Sequence, residues 1–151
     1  MRVLRPNDIT AIQRILAGAP EAAFWSLQAI DDVLRQSGVS AFVSEKAGAV
    51  TGFVVGKRVM DEGEVLNLAV NVSNRRRGDG QALVDRLLRD FQEHQVQKVF
   101  LEVRESNEAA IQLYERLRFV RVGRRENYYR DPTEAALILE RDFEFHSFGT
   151  D

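Results

Sequence analysis

The stretch NRRRGDGQALVDRLL, residues 74–88, places three arginines and two glycines directly before an apolar pattern with helical spacing. The preceding segment EVLNLAV, residues 64–70, has the composition of a strand. A strand, a glycine loop and a helix in this order form a geometry that can bind phosphate groups. Glycines let consecutive backbone N–H groups converge on an anion, and the helix N-terminus adds its dipole. The stretch therefore predicts an anion site at this turn, with a solvated basic turn as the plainer alternative.

Two well-known glycine loops do not fit this stretch. A P-loop would need Lys followed by Ser or Thr after the second glycine, where Gln81 and Ala82 stand instead. A dinucleotide-binding loop would need a third glycine at position 83, which is Leu83. What remains is the pattern Arg-x-x-Gly-x-Gly, and an isolated pair of glycines does not by itself separate an anion site from an ordinary bend.

Working outward from this loop, apolar periodicity predicts the other elements. We expect a strand at 2–5, a helix beginning at Asn7 or Asp8, a helix from about Ala22 to Gln36 with Phe24 on its inner face, and a hairpin around Gly48. Strands at 64–70 and 98–103, helices ending at about His94 and spanning 107–117, and two last strands around the polar loop RENYYRDPT (125–133) complete the chain. The order predicts an α/β (α+β) fold, with a mixed, mostly antiparallel central sheet flanked by helices. Residues 1–143 are expected to form a single domain, and 144–151 a frayed tail.

The composition excludes several classes of protein. The 151 residues are 44% hydrophobic, which suits a domain with a core, and the formal net charge of -2 does not favour nucleic acid or an acidic membrane as a partner. No cysteine is present, so disulfides, thiolate metal sites and a cysteine nucleophile are excluded. His94 and His146 are too few for a zinc cluster, so no metal is expected. No signal peptide or apolar span is recognisable, so we expect a soluble, cytoplasmic protein.

A carboxylate and a tyrosine occur at informative positions in KVFLEVRESNEAAIQLYERLRF, residues 98–119. Strand alternation puts Glu102 on the same face as Phe100, which is expected to be at least half buried. Helical spacing puts Tyr114 on the inward stripe with Ala110 and Leu117, and its hydroxyl then needs a partner. Taken singly, each residue is better explained without a function, Glu102 as a solvated residue on the outer sheet face and Tyr114 as a core aromatic with its hydroxyl in water.

Four segments taken together resemble one known family. They are NLAV (67–70), RRRGDGQALVDRLL (75–88), LEVRESNEAAIQLYERLRF (101–119) and RRENYY (124–129). In this order and spacing they are similar to GNAT-superfamily acetyltransferases, and among these to the RimI-like ribosomal-protein-alanine N-acetyltransferases. The resemblance covers about the C-terminal half, while residues 1–60 match mainly in element order. It implies the GNAT fold and acetyl-CoA as cosubstrate, with direct transfer of the acetyl group to an amine.

The resemblance also implies which residues hold acetyl-CoA. The backbone of the glycine loop would bind the pyrophosphate, and the backbone of the preceding strand would pair with the pantetheine arm, with an N–H near Val70 facing the thioester oxygen. Asn107 would touch the cofactor, cap the helix, or do both. The implied set is Leu68, Ala69, Val70, Arg75, Arg76, Arg77, Gly78, Asp79, Gly80, Gln81 and Asn107. Because a carboxylate repels phosphate, we predict that the side chain of Asp79 points to solvent or to an arginine.

For the chemistry, the resemblance implies Glu102 as the base and Tyr114 as the acid. An α-amine has a pKa of roughly 8 and a lysine amine one of roughly 10.4, so each must lose a proton before it can attack. A carboxylate can take that proton, and a tyrosine hydroxyl can donate one to the departing thiolate. The absence of cysteine agrees with direct transfer, which needs no acyl-enzyme.

The acceptor is less well specified by the sequence. The resemblance implies that Tyr128 and Tyr129 flank a peptide N-terminus, and Trp25 could line the same cleft, although each also fits an ordinary turn or core position. The expected acceptor is a protein N-terminal α-amine, with a ribosomal protein's alanine as one candidate. A lysine, a small-molecule amine, and a non-catalytic CoA-binding regulatory domain are the alternatives. Arg118 stands where the family usually has glycine, so the helix before it is expected to end differently.

Overall fold

A computed structural model describes residues 1–75 and 77–143. Arg76 and the tail 144–151 lie outside the described residues, so the predictions of a phosphate contact by Arg76 and of a frayed tail stay predictions. The helices are α1 (Ile9–Ala17), α2 (Leu27–Leu34), α3 (Asp79–Glu93) and α4 (Glu108–Arg116). The strands are β1 (Arg2–Val3), β2 (Val39–Lys46), β3 (Ala49–Val59), β4 (Glu62–Val70), β5 (Lys98–Arg104), β6 (Val120–Tyr129) and β7 (Glu134–Asp142).

The strands form a seven-stranded sheet in the order β1-β2-β3-β4-β5-β7-β6. The pair β4–β5 is parallel, and the other neighbouring pairs are antiparallel. Since β4 and β5 are parallel, the chain between them must cross one face of the sheet, and α3 makes this crossing. The predicted element order and the mixed, mostly antiparallel α/β fold are confirmed.

Two apolar clusters cover the two faces of the sheet. Helices α3 and α4 contribute to one cluster, and α1 and α2 to the other. Helix α3 buries five apolar side chains and lies unusually close to β3, because Gly56 has no side chain there. A Cβ at Gly56 would lie 2.7 Å from Leu87 and 2.8 Å from Phe91, which is shorter than any tolerable contact. The absence of a side chain at Gly56 thus lets α3 pack directly against the backbone of β3.

The sheet opens between β4 and β5. Their ladder pairs only Glu62–Glu64 with Lys98–Phe100, although β4 continues to Val70 and β5 to Arg104. On its other side β4 stays paired with β3, with an irregularity at which Leu66 has no partner, since Asn67 pairs with Val55 and Val65 with Gly56. A bulge of this kind bends a strand and increases its twist. The two strands therefore diverge, and a wedge opens in the middle of the sheet.

Two details differ from the sequence prediction. Helix α2 begins at Leu27, not Ala22, because the Ser26 hydroxyl caps it by accepting from the Ala29 N–H at 3.1 Å. The prediction that Phe24 lies on the inner face of this helix is wrong, since Phe24 precedes the helix and is 81% exposed. The predicted loop at 125–133 is also too long. Strand β6 runs on to Tyr129, which pairs with Glu134 after an irregularity in the ladder.

Candidate active site

The wedge between β4 and β5 holds a cavity of about 560 Å³. Its floor is made by Val65–Leu68 of β4, Leu101–Arg104 of β5 and the first turns of α4. Two connections form its walls, Pro20–Phe24 between α1 and α2, and Tyr129–Asp131 between β6 and β7. The predicted site residues among its lining are Leu68, Glu102, Asn107, Tyr114 and Tyr129. Residues that are up to 61 positions apart in the sequence thus meet in one cavity.

The carboxylate of Glu102 enters this cavity from β5, where Glu102 pairs with Ile138 of β7. Its Oε2 atom is buried and has no hydrogen-bond partner among the described protein atoms. The nearest cationic group is the guanidinium of Arg125, with Nε 4.0 Å from Oε2, at the outer limit of an ion pair. A buried carboxylate oxygen without a donor is costly, and such atoms are concentrated at functional sites. Glu102 is therefore placed to accept a proton from a group that enters the cavity.

The hydroxyl-bearing side chain of Tyr114 reaches the same cavity from α4 and is only 5% exposed. Burial raises the pKa of Tyr114 well above its ordinary value, and the nearby Tyr129 adds to the effect. The phenol is therefore fully protonated at neutral pH. A protonated hydroxyl in a largely apolar wall can donate a hydrogen bond or a proton to an anion that forms beside it.

The end of α4 holds the Tyr114 ring in place. Arg118 follows the last turn with φ 70°, and the N–H groups of Arg118 and Phe119 donate to the carbonyls of Glu115 and Tyr114 at 2.9 and 3.0 Å. These two bonds make the left-handed helix ending that usually uses glycine. They bring Phe119 edge-on to Tyr114, with 5.4 Å between ring centroids. Arg118 thus adopts the conformation that glycine would adopt, at the energetic cost of a left-handed non-glycine residue. The expectation that the helix ends differently without glycine is therefore wrong.

Tyr129 and Tyr128 end strand β6 at the mouth of the cavity. Their rings meet edge to face at 5.1 Å, and Tyr129 lines the cavity while Tyr128 is 48% exposed. Burial and the Glu102 carboxylate raise the pKa of Tyr129 to about 12. The same carboxylate raises the pKa of Tyr128, because it favours the protonated hydroxyl as a hydrogen-bond donor. Both phenols and Glu102 therefore belong to one polar group at this end of the cavity.

The glycine loop leads directly into α3, at the end of the wedge. Gly78 precedes the helix with φ 84°, a conformation that L-residues rarely adopt, and Asp79 is the first residue of the helix. Gly80 serves packing, since a Cβ there would lie 3.0 Å from the side chain of Leu113 in α4. Gln81 accepts a weak hydrogen bond from Arg116 at 3.4 Å, and Arg77 is exposed. The predicted orientation of the Asp79 side chain stays a prediction.

Arg75 uses its side chain differently from what its place in the motif suggests. Its Nε donates to the carbonyl of Val70 at 3.1 Å, and its Nη2 lies 2.8 Å from a carboxylate oxygen of Glu21 and 3.4 Å from the carbonyl of Gly18. The side chain therefore ties the end of β4 to the connection between α1 and α2. Only the backbone of Arg75 is left to serve the anion site that the sequence predicts.

The backbone of β4 presents polar groups to the wedge. The Asn71 N–H donates to Thr51 of β3 at 2.7 Å, so by strand alternation the N–H and C=O groups of Leu68 and Val70 point away from β3. The Leu68 N–H is already occupied by Asn67 Oδ1 at 3.0 Å, and the Val70 carbonyl by Arg75. The Val70 N–H and the Leu68 carbonyl face the wedge. Ala69, also predicted as a cofactor contact, buries its side chain in the α1–α2 cluster.

Two further predicted site residues, Asn107 and Trp25, differ in whether they line the cavity. Asn107 caps α4, with Oδ1 accepting from the Ala110 N–H at 3.2 Å, and it also lines the cavity. The two expectations for Asn107 are thus compatible at one position. Trp25 packs against the α1–α2 cluster and is not part of the cavity lining, where the exposed ring of Phe24 lies instead.

Two residues that organise the site were not predicted. Asn67 is 5% exposed, and its Nδ2 donates to the carbonyl of Ala23 at 2.9 Å, which ties the wall formed by Pro20–Phe24 to β4. Arg104 anchors the turn after β6, as described below. Each leaves a signal in the sequence: Asn67 is a polar residue inside an otherwise apolar strand, and Arg104 shares its strand face with Glu102. Only the folded structure shows the hydrogen-bond partners of these two side chains.

Two further findings complete the description of the site. Among residues 1–75 and 77–143, no group of three or more His, Cys, Asp or Glu side chains is arranged to hold a metal ion. In the same part of the chain, no helix combines the length and apolar composition needed to span a membrane.

Comparison with known proteins identifies the family. A family model described as "Acetyltransferase (GNAT) family" matches residues 9–119. The chain is 39% identical over 94 residues to the [ribosomal protein bS18]-alanine N-acetyltransferase of Escherichia coli K12, a match that spans 61% of this chain and 64% of that relative. It is 29% identical over 139 residues, 92% of both chains, to a putative enzyme of the same name from Bacillus subtilis. The crystal structure of the ribosomal-protein-S18-alanine N-acetyltransferase from Escherichia coli superposes with a TM-score of 0.82 at 33% identity, covering 93% of this chain and 90% of that one. The chain belongs to the GNAT acetyltransferase family.

Proposed function

We propose that the protein transfers the acetyl group of acetyl-CoA directly to the α-amine at the N-terminus of a protein. The observation that carries this proposal is that Glu102 and Tyr114 line one cavity, at the point where β4 and β5 diverge. One of them is a carboxylate with an unpartnered buried oxygen, and the other is a phenol held in its protonated form. Acetylation of an ammonium removes two protons from the nitrogen and delivers one to the departing sulfur, and a base and an acid in one cavity suit those tasks.

The fit of acetyl-CoA is supported by the wedge and by the glycine loop. The Val70 N–H and the Leu68 carbonyl can pair with an amide-bearing arm, as a peptide pairs with an exposed strand edge. The turn at Gly78 and the N-terminus of α3 suit the pyrophosphate, because their N–H groups and the helix dipole favour an anion. Acetyl-CoA supplies the activated acetyl thioester. Cofactor contacts at Arg77, Asp79, Gly80, Gln81 and Asn107 belong to this proposal.

In the proposed reaction, Glu102 accepts the proton of the acceptor ammonium, directly or through water. The neutral amine attacks the thioester carbonyl, whose oxygen the Val70 N–H stabilises. As the C–S bond breaks, Tyr114 gives its proton to the departing sulfur, and the second proton released by the nitrogen returns to Tyr114, directly or through water. The new bond is an amide C–N bond, and the bond that breaks is the C–S bond of the thioester. Direct attack by the amine needs no covalent enzyme intermediate, and the absence of cysteine from the chain agrees with this.

An α-amine of a peptide is the acceptor favoured by the walls of the cavity. The Pro20–Phe24 connection and Tyr129 line the same cavity as Glu102, and the rings of Phe24 and of Tyr128, next to Tyr129, are exposed. Such walls suit a short extended peptide whose end reaches the carboxylate. The names of the relatives make the N-terminal alanine of ribosomal protein bS18 the first acceptor to test.

The decisive experiment is an acetyl-transfer screen with acetyl-CoA and three kinds of acceptor. These are peptides with a free N-terminus, including the bS18 N-terminus, N-terminally blocked lysine peptides, and polyamines. We expect transfer to free N-terminal peptides at least tenfold faster, in kcat/KM, than to the other two. Faster transfer to lysine peptides or polyamines would replace the proposed acceptor. Binding of acetyl-CoA without transfer to any acceptor would favour a regulatory domain.

A further inference from the structure

Arg104 makes a set of contacts that the proposed chemistry does not use. It is the last residue of β5, two positions after Glu102, and its side chain is only 17% exposed. Its Nη1 donates to the Pro132 carbonyl at 3.1 Å and to Glu134 Oε1 at 3.2 Å, and its Nη2 donates to the Arg130 carbonyl at 3.2 Å. The guanidinium therefore holds two backbone carbonyls of the turn between β6 and β7.

The same guanidinium lies over the ring of Tyr129, with 4.5 Å between Cζ and the ring centroid. Tyr129 is thereby held on one face by a cation and at one edge by Tyr128. Glu134 extends the network, since its Oε2 accepts from the Ser106 N–H at 2.6 Å, just before α4. A single side chain thus links the base-bearing strand, the start of α4 and the wall of the cavity that Tyr129 forms.

Packing alone does not fix this wall. Arg130, Asp131, Pro132 and Thr133 are all exposed, so the turn has no apolar residue in the core to anchor it. An exposed turn without such an anchor samples several conformations, unless hydrogen bonds select one. The planar fork of arginine can donate to several oxygens at once, which a lysine ammonium on the same stem cannot reproduce. The ladder pair of Tyr129 with Glu134 fixes the backbone at the end of β6, and the contacts of Arg104 hold the turn beyond that pair and the face of the Tyr129 ring.

We infer that Arg104 is a positioning residue for the acceptor, which acts through Tyr129 and the Arg130–Pro132 turn to set the shape of the cavity beside Glu102. It touches neither reacting atom in this role. Its loss should therefore weaken binding of the acceptor while leaving the acetyl-CoA side of the wedge intact. This inference rests on the proposed function, because it assumes that the acceptor enters between this turn and the Pro20–Phe24 connection.

The test compares Arg104→Met, which keeps an unbranched apolar stem, with Arg104→Lys and with a matched control. Arg141→Met is that control, because Arg141 also donates to a backbone carbonyl, that of Leu117 at 2.7 Å, and lies 5.0 Å from the ring of Phe143, away from the cavity. Steady-state kinetics with the best N-terminal peptide give KM for the acceptor and kcat, and calorimetry gives the Kd of acetyl-CoA.

For Arg104→Met we expect the KM of the acceptor to rise about tenfold or more, with the Kd of acetyl-CoA unchanged within about twofold. Arg104→Lys keeps a positive charge near the ring, so its KM for the acceptor should lie between those of the wild type and Arg104→Met. Arg141→Met should lower thermal stability without changing either constant. Equal kinetic constants for Arg104→Met and wild type, an equal KM rise in Arg141→Met, or a comparable loss of acetyl-CoA affinity would each overturn the inference.

A second readout does not depend on activity. The chain has only three tyrosines, so NMR of ring-labelled tyrosine gives three sets of signals, which Tyr→Phe variants assign. Arg104→Met should shift the Tyr129 signals and leave those of Tyr114 in place, while Arg141→Met should leave the Tyr129 signals in place. Unshifted Tyr129 signals would refute the anchoring by Arg104. If the wild-type protein acetylates no peptide, the proposed function fails, and the Tyr129 signals still decide the anchoring separately.

Discussion

The glycine loop can be tested with two substitutions that have the same conformational cost, Gly78→Ala and Gly48→Ala. Both glycines have positive φ, 84° and 81°, and a Cβ added to either would meet no atom within 4 Å. Neither alanine therefore clashes, and each costs only the left-handed conformation. That conformation costs about 1–2 kcal/mol for an L-residue, offset by about 0.4–1 kcal/mol because alanine restricts the unfolded chain.

The net destabilisation is then roughly 0–1.6 kcal/mol, by difference of these terms, and is expected to be similar for the two variants. For a domain of this size, 1 kcal/mol lowers Tm by roughly 2–4 °C, so scanning calorimetry should show a similar, small shift for both. Only Gly78→Ala should weaken acetyl-CoA binding. A residue that relaxes from positive φ redirects the N–H groups at the start of α3, and we expect a loss of about tenfold or more in Kd, or about 1.4 kcal/mol. Isothermal calorimetry measures it.

Unchanged acetyl-CoA affinity in Gly78→Ala, together with the expected Tm shift, would refute the assignment of this loop to the pyrophosphate. Weaker binding in Gly48→Ala as well would show a global effect instead of a local one. Gly78→Glu adds a negative charge to the same conformational change, so it should abolish binding that Gly78→Ala only weakens.

Four further outcomes are expected. Glu102→Gln should keep acetyl-CoA affinity and lower kcat/KM by about 10²–10⁴-fold, most strongly at low pH, where the acceptor amine is protonated; an unchanged rate across the pH range would exclude Glu102 as the base. Tyr114→Phe should slow turnover with little loss of stability, and wild-type kinetics would refute its role as the acid. Arg118→Gly should be more stable than Arg118→Ala by about 1 kcal/mol, because both remove the side chain and only glycine relieves the positive φ; denaturant unfolding of the pair measures it, and equal stabilities would contradict it. Hydrogen bonds from Arg2 lower the pKa of Asp8, so its stabilising contribution is present above its unfolded pKa of roughly 3.9 and is lost as the pH falls further. Asp8→Asn should therefore destabilise the protein at pH 7 and much less at pH 3, and a deficit that is constant with pH would contradict this.

Local patterns in the sequence predicted most elements because their causes are local. The apolar periodicity of α3, the turn at Gly48 and the cap at Asn107 all depend on neighbouring residues. The prediction failed where a competing local signal decided a boundary. Ser26 starts α2 five residues later than apolar spacing alone suggested, which leaves Phe24 in the cavity wall. The pairing of β6 with β7 likewise carries the strand through polar residues that resemble a loop.

The amino-acid sequence alone specifies the chemical groups that the chain can offer: a glycine turn before a helix, the carboxylate of Glu102, the phenol of Tyr114, and no thiol. It is the folded structure that brings Glu102 and Tyr114 into one cavity. The bulge at Leu66 and the short β4–β5 ladder open the wedge, and burial raises the pKa of Tyr114. In the folded structure the side chain of Arg75 also bonds the Val70 carbonyl instead of facing a phosphate site, and Arg104 contacts the ring of Tyr129 beside the turn. Strand divergence, desolvation and long-range hydrogen bonds depend on residues far apart in the chain, and no local pattern encodes them.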